Sequence, residues 1–193
     1  MARTVGTAQI GVNRKLTELS TKAEGFFHRY RYPDWLAQHS RLVGRIAEAL
    51  LAGLKPAAKS VDAPTVILGA YLHDIGRSPL LGGDPRDHNV LSGLVLAAEG
   101  LSRCVEPARR HAIYTVLDTE LAPRTIEEKL VYVADRRGGQ TVESLETRAA
   151  DTAARNPRYA DGIRRAIPLA KAIEREVFAH VVFAADELAE RVR

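Results

Sequence analysis

Four of the six histidines in this chain, His39, His73, His88 and His111, fall on or beside apolar helical patterns within one region. His73 is followed directly by Asp74. Adjacent side chains of a helix differ by about 100 degrees around its axis, so both can reach one ion near a helix end. Imidazole and carboxylate groups bind Mn, Fe, Co, Ni or Zn and, less well, Mg. We therefore predict a divalent metal site centred on the pair His73-Asp74.

Helices are expected to position these side chains, because the apolar residues recur at spacings of three and four. The segment from Pro33 to about Gly53 places His39 on its apolar face. A capping box formed by Thr125 and Glu128 predicts the start of a later helix that has Asp135 near its end. Further helices are predicted from about residue 62 to 75, from 88 to 99 and from 106 onwards.

Other signals concern the two ends of the chain. Thr21, with Glu24 three residues on, predicts a capping box that opens a first short helix. Asn156-Pro157 predicts a break in the last third, and Pro168 predicts a kink or a boundary. We therefore expect residues 1–20 to form an N-terminal extension, with its flexibility left open, and residues 21–193 to form one helical domain.

The composition is that of a soluble globular protein, with 46% hydrophobic and 27% charged residues. The longest apolar stretches, such as residues 66–72, are far shorter than the roughly 20 residues that span a bilayer. The first residues lack the apolar core of a secretory signal, so we expect a cytoplasmic protein and no membrane partner. The single cysteine, Cys104, excludes an internal disulfide and a multi-cysteine zinc site.

The formal net charge of +4 favours anionic ligands. The arginine pairs at residues 109–110, 136–137 and 164–165 are scattered, whereas a nucleic-acid interface gathers its charge in one stripe. Aromatic residues, at 6%, are too few for a base-stacking surface. A small phosphorylated substrate is therefore the preferred partner. Binding of nucleic acid stays open, and the oligomeric state is not predicted.

The motif His73-Asp74-Ile75-Gly76, followed by Arg77, resembles the HD-domain superfamily, specifically the subset whose central motif reads His-Asp-Ile-Gly. An upstream His39 and a downstream Asp135 occur in the order typical of that family. The resemblance covers roughly residues 33–150 and implies an all-α fold, a single-domain helical bundle of the HD type.

The resemblance also implies a ligand set. His39, His73, Asp74 and Asp135 would hold the first divalent ion, and Asp74 would bridge to a second one. His88 and His111 would hold that second ion. Because Ala112 follows His111 where family members often have another His or Asp, a site with one ion stays open. The implied ligand set is His39, His73, Asp74, His88, His111 and Asp135.

The expected activity is hydrolysis of a phosphoester or pyrophosphate bond, in a nucleotide or a related metabolite, by metal-activated water. His73 and Asp74 would serve catalysis through the metal. Arg77 would contact phosphate, because a guanidinium group matches phosphate bidentately, although it can equally be a solvated surface arginine. Lys129, Arg136 and Arg137 are weaker candidates for this contact.

Two alternatives stay open. One is a regulatory domain that binds a nucleotide or RNA without turnover. The other treats the histidines as ordinary core residues, which leaves their order and spacing unexplained.

Overall fold

The computed structural model describes residues 4–58 and 60–192, with side chains from residue 16 onwards. The described residues are helical, and their only β-type pairings are isolated bridges between Leu54 and Val181 and between Gly138 and Val142. The prediction of an all-α fold is therefore confirmed. The helices are α1 (Thr4–Arg29), α2 (Asp34–Ala52), α3 (Ala63–Leu72), α4 (His88–Ala98), α5 (Val105–Arg109), α6 (Ile126–Arg137), α7 (Leu145–Arg155), α8 (Ala160–Ala179) and α9 (Leu188–Arg191).

Helix α3 is the centre of the fold. Every residue from Thr65 to Leu72 is buried, because α1, α2, α5 and α6 all pack against this helix. A helix that is apolar all round is stable only when it is surrounded in this way. One apolar cluster joins α2 and α3 to α6, α7 and α8, and a second joins them to α1, α4 and α5. The residues that follow α3 are therefore held between two packed layers.

The motif after α3 forms a turn, not a continuation of the helix. Helix α3 was predicted to reach Ile75, but it ends at Leu72, and the chain turns through a short 3-10 helix, Ile75–Arg77. Gly76 explains the turn, since a Cβ atom there would overlap the carbonyl oxygen of His88 and lie 2.7 Å from the backbone nitrogen of Ser92. The backbone of α4 can approach this closely only because the residue is glycine.

Two helix ends follow the sequence signals. The predicted capping box is confirmed, because the Thr125 side chain accepts a hydrogen bond from the Glu128 backbone N–H and the Glu128 carboxylate accepts one from Thr125 N–H. Helix α7 ends at Arg155, so the break predicted at Asn156-Pro157 is confirmed.

Two other expectations are wrong. Thr21 does not start a helix, because α1 already runs from Thr4. The apolar stripe of Leu16, Leu19 and Ala23 continues through this position and packs against the second cluster. The boundary that was one of the two alternatives for Pro168 is also wrong, since α8 continues through this residue with Ala166 and Ala170 buried on both sides, and the kink stays a prediction. The division of the chain at residue 20 stays a prediction.

None of the helices in the described part of the chain is both long and apolar enough to cross a membrane.

Candidate metal centre

All six residues proposed as metal ligands meet at one place, although they come from five segments of the fold. Helix α2 contributes one of them from its second turn, the end of α3 contributes two, and α4 contributes its first residue. The remaining two come from just after α5 and from the last turn of α6. In chain order they are His39, His73, Asp74, His88, His111 and Asp135.

The first group of atoms lies between α2, α3 and α6. His39 Nε2 is 3.2 Å from His73 Nε2 and 3.3 Å from Asp135 Oδ1. His73 Nε2 lies 3.7 Å from Asp135 Oδ1 and 3.7 Å from Asp74 Oδ2. The three residues His39, His73 and Asp135 each offer a ligand atom within 4.8 Å of the others. This group can hold a metal ion.

The second group lies on the other side of Asp74. Its Oδ1 atom is 3.3 Å from His111 Nε2 and 3.4 Å from His88 Nε2. His73, Asp74 and His111 form a second set whose ligand atoms lie within 4.8 Å of one another. The two oxygens of Asp74 therefore face two different groups of histidines.

Hydrogen bonds orient the two most buried histidine rings. His73 Nδ1 is 2.7 Å from the carbonyl oxygen of Ala70, and His111 Nδ1 is 2.5 Å from that of Ala108. A carbonyl oxygen can only accept, so each Nδ1 carries the proton and the lone pair of a neutral ring lies on Nε2. Burial lowers the pKa of His73 to about 3, which keeps this ring neutral.

The resulting arrangement directs acceptor atoms at one another. Asp74 Oδ1 is buried and faces the Nε2 atoms of His88 and His111, and its 2.8 Å contact with Arg77 Nε lacks the alignment of a hydrogen bond. The Nε2 lone pair of His73 faces carboxylate oxygens. Such a set of acceptors is stable when a cation lies among them. Neutral imidazole nitrogens with carboxylate oxygens are a donor set for divalent transition metals. The residues therefore fit a metal ion.

Both aspartates are held in the charged form. Burial alone would raise the pKa of Asp74, but the positively charged Arg77 guanidinium beside it helps to hold that pKa well below its usual range. Burial acts in the same direction on Asp135, and the adjacent Arg136 outweighs it, so its pKa is also well below the usual range. Ionised carboxylates are the form that binds metal.

Arg77 lies at the edge of the centre. Its Nε atom is 2.8 Å from Asp74 Oδ1, and its Nη2 atom is 2.9 Å from His88 Nε2. The side chain is 41% exposed, so it is accessible to a ligand that arrives from solvent. Lys129 and Arg137 were weaker candidates for a phosphate contact. They pair with glutamates of α8 instead, at 2.5 Å and 2.8 Å.

The contacts behind the His88 ring were not predicted from the sequence. Asp87 caps α4, because its Oδ1 atom accepts a hydrogen bond from the His88 backbone N–H. The same oxygen lies 3.1 Å from His88 Nδ1. The hydroxyl of Tyr114 donates to the other oxygen of Asp87 at 2.7 Å. A carboxylate behind a histidine ring fixes its orientation and tautomer. The adjacent pair Asp87-His88 was the available signal.

Tyr32 is another residue near the centre that the sequence did not indicate. Its ring stacks on Phe27 with a centroid distance of 4.5 Å. The hydroxyl is buried and has no hydrogen-bond partner among the described residues. Burial and the nearby Asp74 carboxylate raise the pKa of Tyr32 well above its usual value, so the hydroxyl keeps its proton. An uncommitted donor therefore lies near the centre.

The model of one protein family, described as the HD domain, matches residues 36–137, which is more than half of the 193 residues. The comparisons with curated proteins and with solved structures gave no match. The matched segment begins just before His39 and ends just after Asp135, so it contains all six residues of the centre. The chain belongs to the HD-domain family, a superfamily of metal-dependent phosphohydrolases.

Proposed function

We propose that this protein hydrolyses a phosphoester or pyrophosphate bond of a nucleotide or a related phosphorylated metabolite, with two divalent metal ions. The observation that carries the proposal is the position of Asp74, whose Oδ2 faces His39 and His73 while its Oδ1 faces His88 and His111. A carboxylate that faces two groups of ligands in this way is suited to bridge two ions.

The roles of the residues follow from this geometry. His39, His73 and Asp135 would hold one ion together with Asp74 Oδ2, and His88 and His111 would hold the other together with Asp74 Oδ1. Two divalent ions supply a water nucleophile at neutral pH and neutralise phosphate oxygens. His73 and Asp74 therefore serve catalysis through the metal.

Arg77 would orient the phosphate. Its guanidinium lies beside Asp74 and His88 and is partly exposed, so its free N–H groups can donate to phosphate oxygens. The ring nitrogen His88 Nε2 has a single lone pair, so an ion bound there would release the Arg77 Nη2 group that contacts it, and Arg77 Nε would still be held by Asp74. Donors that are held in place at the reacting group contribute strongly to the stabilisation of a transition state.

The test is a phosphate-release screen. Nucleotides, dinucleoside polyphosphates and cyclic nucleotides are each assayed with Mn, Co, Ni, Fe and Mg. We expect turnover in the wild type, and loss of both metal and turnover in His73→Ala and Asp74→Ala. His28→Ala is the matched control, since His28 is exposed on α1 and outside the centre.

Two results would contradict the proposal. One is a purified protein that binds no divalent metal, and the other is an Asp74→Ala variant with unchanged activity. Tight binding of a nucleotide without release of any product would instead favour the regulatory alternative.

A further inference from the structure

An arginine occupies the buried face of α7. Leu145 and Ala149 are both buried against the first apolar cluster, and Arg148 lies between them at the i+3 position of the same stripe. Its side chain is only 13% exposed. A buried guanidinium is costly unless anions or acceptors surround it. The surroundings of Arg148 therefore need an explanation.

The protein itself provides little compensation for Arg148. Among the described residues its guanidinium donates only to Asp151 Oδ2, at 3.4 Å. Asp151 pairs more closely with Arg155. The Nε atom of Arg148 is buried and has no partner in the described part of the chain. Most of the N–H groups of this side chain are therefore left for another acceptor.

Arg136 is in a similar position on α6. Its side chain is 8% exposed, and its Nη2 donates to Asp135. Its guanidinium lies 5.9 Å from the centre of the Tyr132 ring. The buried Nε atom has no hydrogen-bond partner among the described residues.

The two guanidinium groups belong to helices that pack against each other, next to one carboxylate of the metal centre. Arg136 contacts Asp135 directly, and Arg148 stands on the face of α7 that is buried against the apolar cluster shared with α6. In agreement with this placement, burial lowers the pKa of Arg148, Asp135 raises it and Arg136 lowers it. The negative charge of Asp135 therefore has two positive charges near it. A metal ion on Asp135 would add further positive charge, and an anion would balance it.

The centre is therefore flanked by cations on two sides. Arg77 contacts Asp74 and His88 on one side, and Arg136 contacts Asp135 on the other. A substrate with a single phosphate at the metal can bind the arginine on one side only. A substrate with two linked phosphates can bind the arginines on both sides.

We propose that Arg148 and Arg136 form a second anion subsite, on the Asp135 side of the centre, that binds another phosphate group of the substrate. The preferred substrates are then diphosphates and polyphosphates, with monophosphates bound more weakly. This inference rests on the proposed phosphohydrolase function and specifies its substrate class.

The test measures binding, so it does not depend on turnover. Metal-loaded full-length protein is titrated calorimetrically with methylenediphosphonate, which water does not cleave, and with methylphosphonate. We expect the wild type to bind the diphosphonate at least about tenfold more tightly, as one additional charge-assisted contact suggests. Arg148→Gln should lose most of this preference. Metal content is measured after each titration to detect extraction of metal by the ligand.

Arg164→Gln is the matched control, because it removes one positive charge from an exposed arginine that pairs with Asp161. It should keep the wild-type preference. The proposal is overturned if the wild type shows no preference for the diphosphonate, or if Arg148→Gln retains it.

Arg148→Lys is the second variant for this test. If Arg148→Gln loses metal or unfolds, the comparison is made with Arg148→Lys, which keeps the charge but not the planar fork and should show a reduced preference. Loss of metal from both variants overturns the proposal, because Arg148 would then serve only to hold Asp135. A diphosphonate preference without phosphate release in the screen above would refute hydrolysis and leave the subsite standing.

Discussion

Substitution of Gly76 by alanine should destabilise the protein and also weaken metal binding. A Cβ atom at this position would overlap the His88 carbonyl oxygen and lie 2.7 Å from Ser92 N. Ordinary contacts of carbon begin near about 3.5 Å, so the backbone of α4 would have to move by at least about 1 Å. The movement would also disturb the 2.9 Å hydrogen bond from Gly76 N–H to the Ser92 hydroxyl.

The expected loss is about 3 kcal/mol in the free energy of unfolding, at the upper end for an overpacked site, because the clash involves backbone atoms. For a chain of this size that corresponds to a decrease of about 6 to 12 °C in Tm. His88 is the first residue of α4, so the shift moves its Nε2 away from Asp74 Oδ1. The ion held by His88 should therefore be lost before the ion held by His39.

Thermal unfolding and metal analysis test this prediction. Gly162→Ala is the control, because Gly162 lies in α8 and a Cβ atom there meets nothing within 4 Å. That variant should be unchanged or more stable by about 0.5 to 1 kcal/mol. A Gly76→Ala protein with the Tm and metal content of the wild type would refute this interpretation of the turn.

Three further predictions concern side chains around the centre and in the core. Asp87→Ala should weaken metal binding at His88 by about tenfold or more, because the His88 ring loses the carboxylate that orients it. Competition with a chelating dye measures this affinity, and an unchanged value would contradict the orienting role of Asp87. Tyr32→Phe should raise the free energy of unfolding, measured by urea denaturation, by about 1 kcal/mol, since it removes a buried hydroxyl without a partner among the described residues. A decrease of similar size in this free energy would mean that the hydroxyl is hydrogen-bonded. Burial raises the pKa of Cys104 to about 11. At pH 8 the folded protein should therefore react with a thiol reagent at least about 100-fold more slowly than the denatured protein. Equal rates would contradict the burial of Cys104.

The clustering of the six residues was largely predictable from the sequence, because the motif His73-Asp74-Ile75-Gly76 indicated the central pair and the resemblance to the HD-domain superfamily implied the other four. Helix α6 begins at Thr125 through a capping box formed by residues three apart, and this places Asp135 in the last turn. The turn after His73 was less predictable. It depends on contact between Gly76 and α4, and no local pattern indicates such a contact.

The anion subsite could not be predicted in the same way. Arg148 resembles many surface arginines until α7 is packed against α6, and the partner that it lacks becomes evident only in three dimensions. The start of α1 was missed for a related reason. Thr21 has a capping sequence, but the apolar stripe of Leu16 and Leu19 continues the helix through it. In both cases tertiary packing overrides a local signal.

The number of metal ions per chain tests the central claim most directly. After loading with Mn, Fe, Co, Ni or Zn and removal of free metal, elemental analysis should find two ions per chain in the wild type. It should find one in His88→Ala and none in Asp74→Ala, because Asp74 faces both groups of histidines. If Asp74→Ala retained both ions, or if the wild type bound fewer than two, Asp74 would not be the bridge of a two-metal centre.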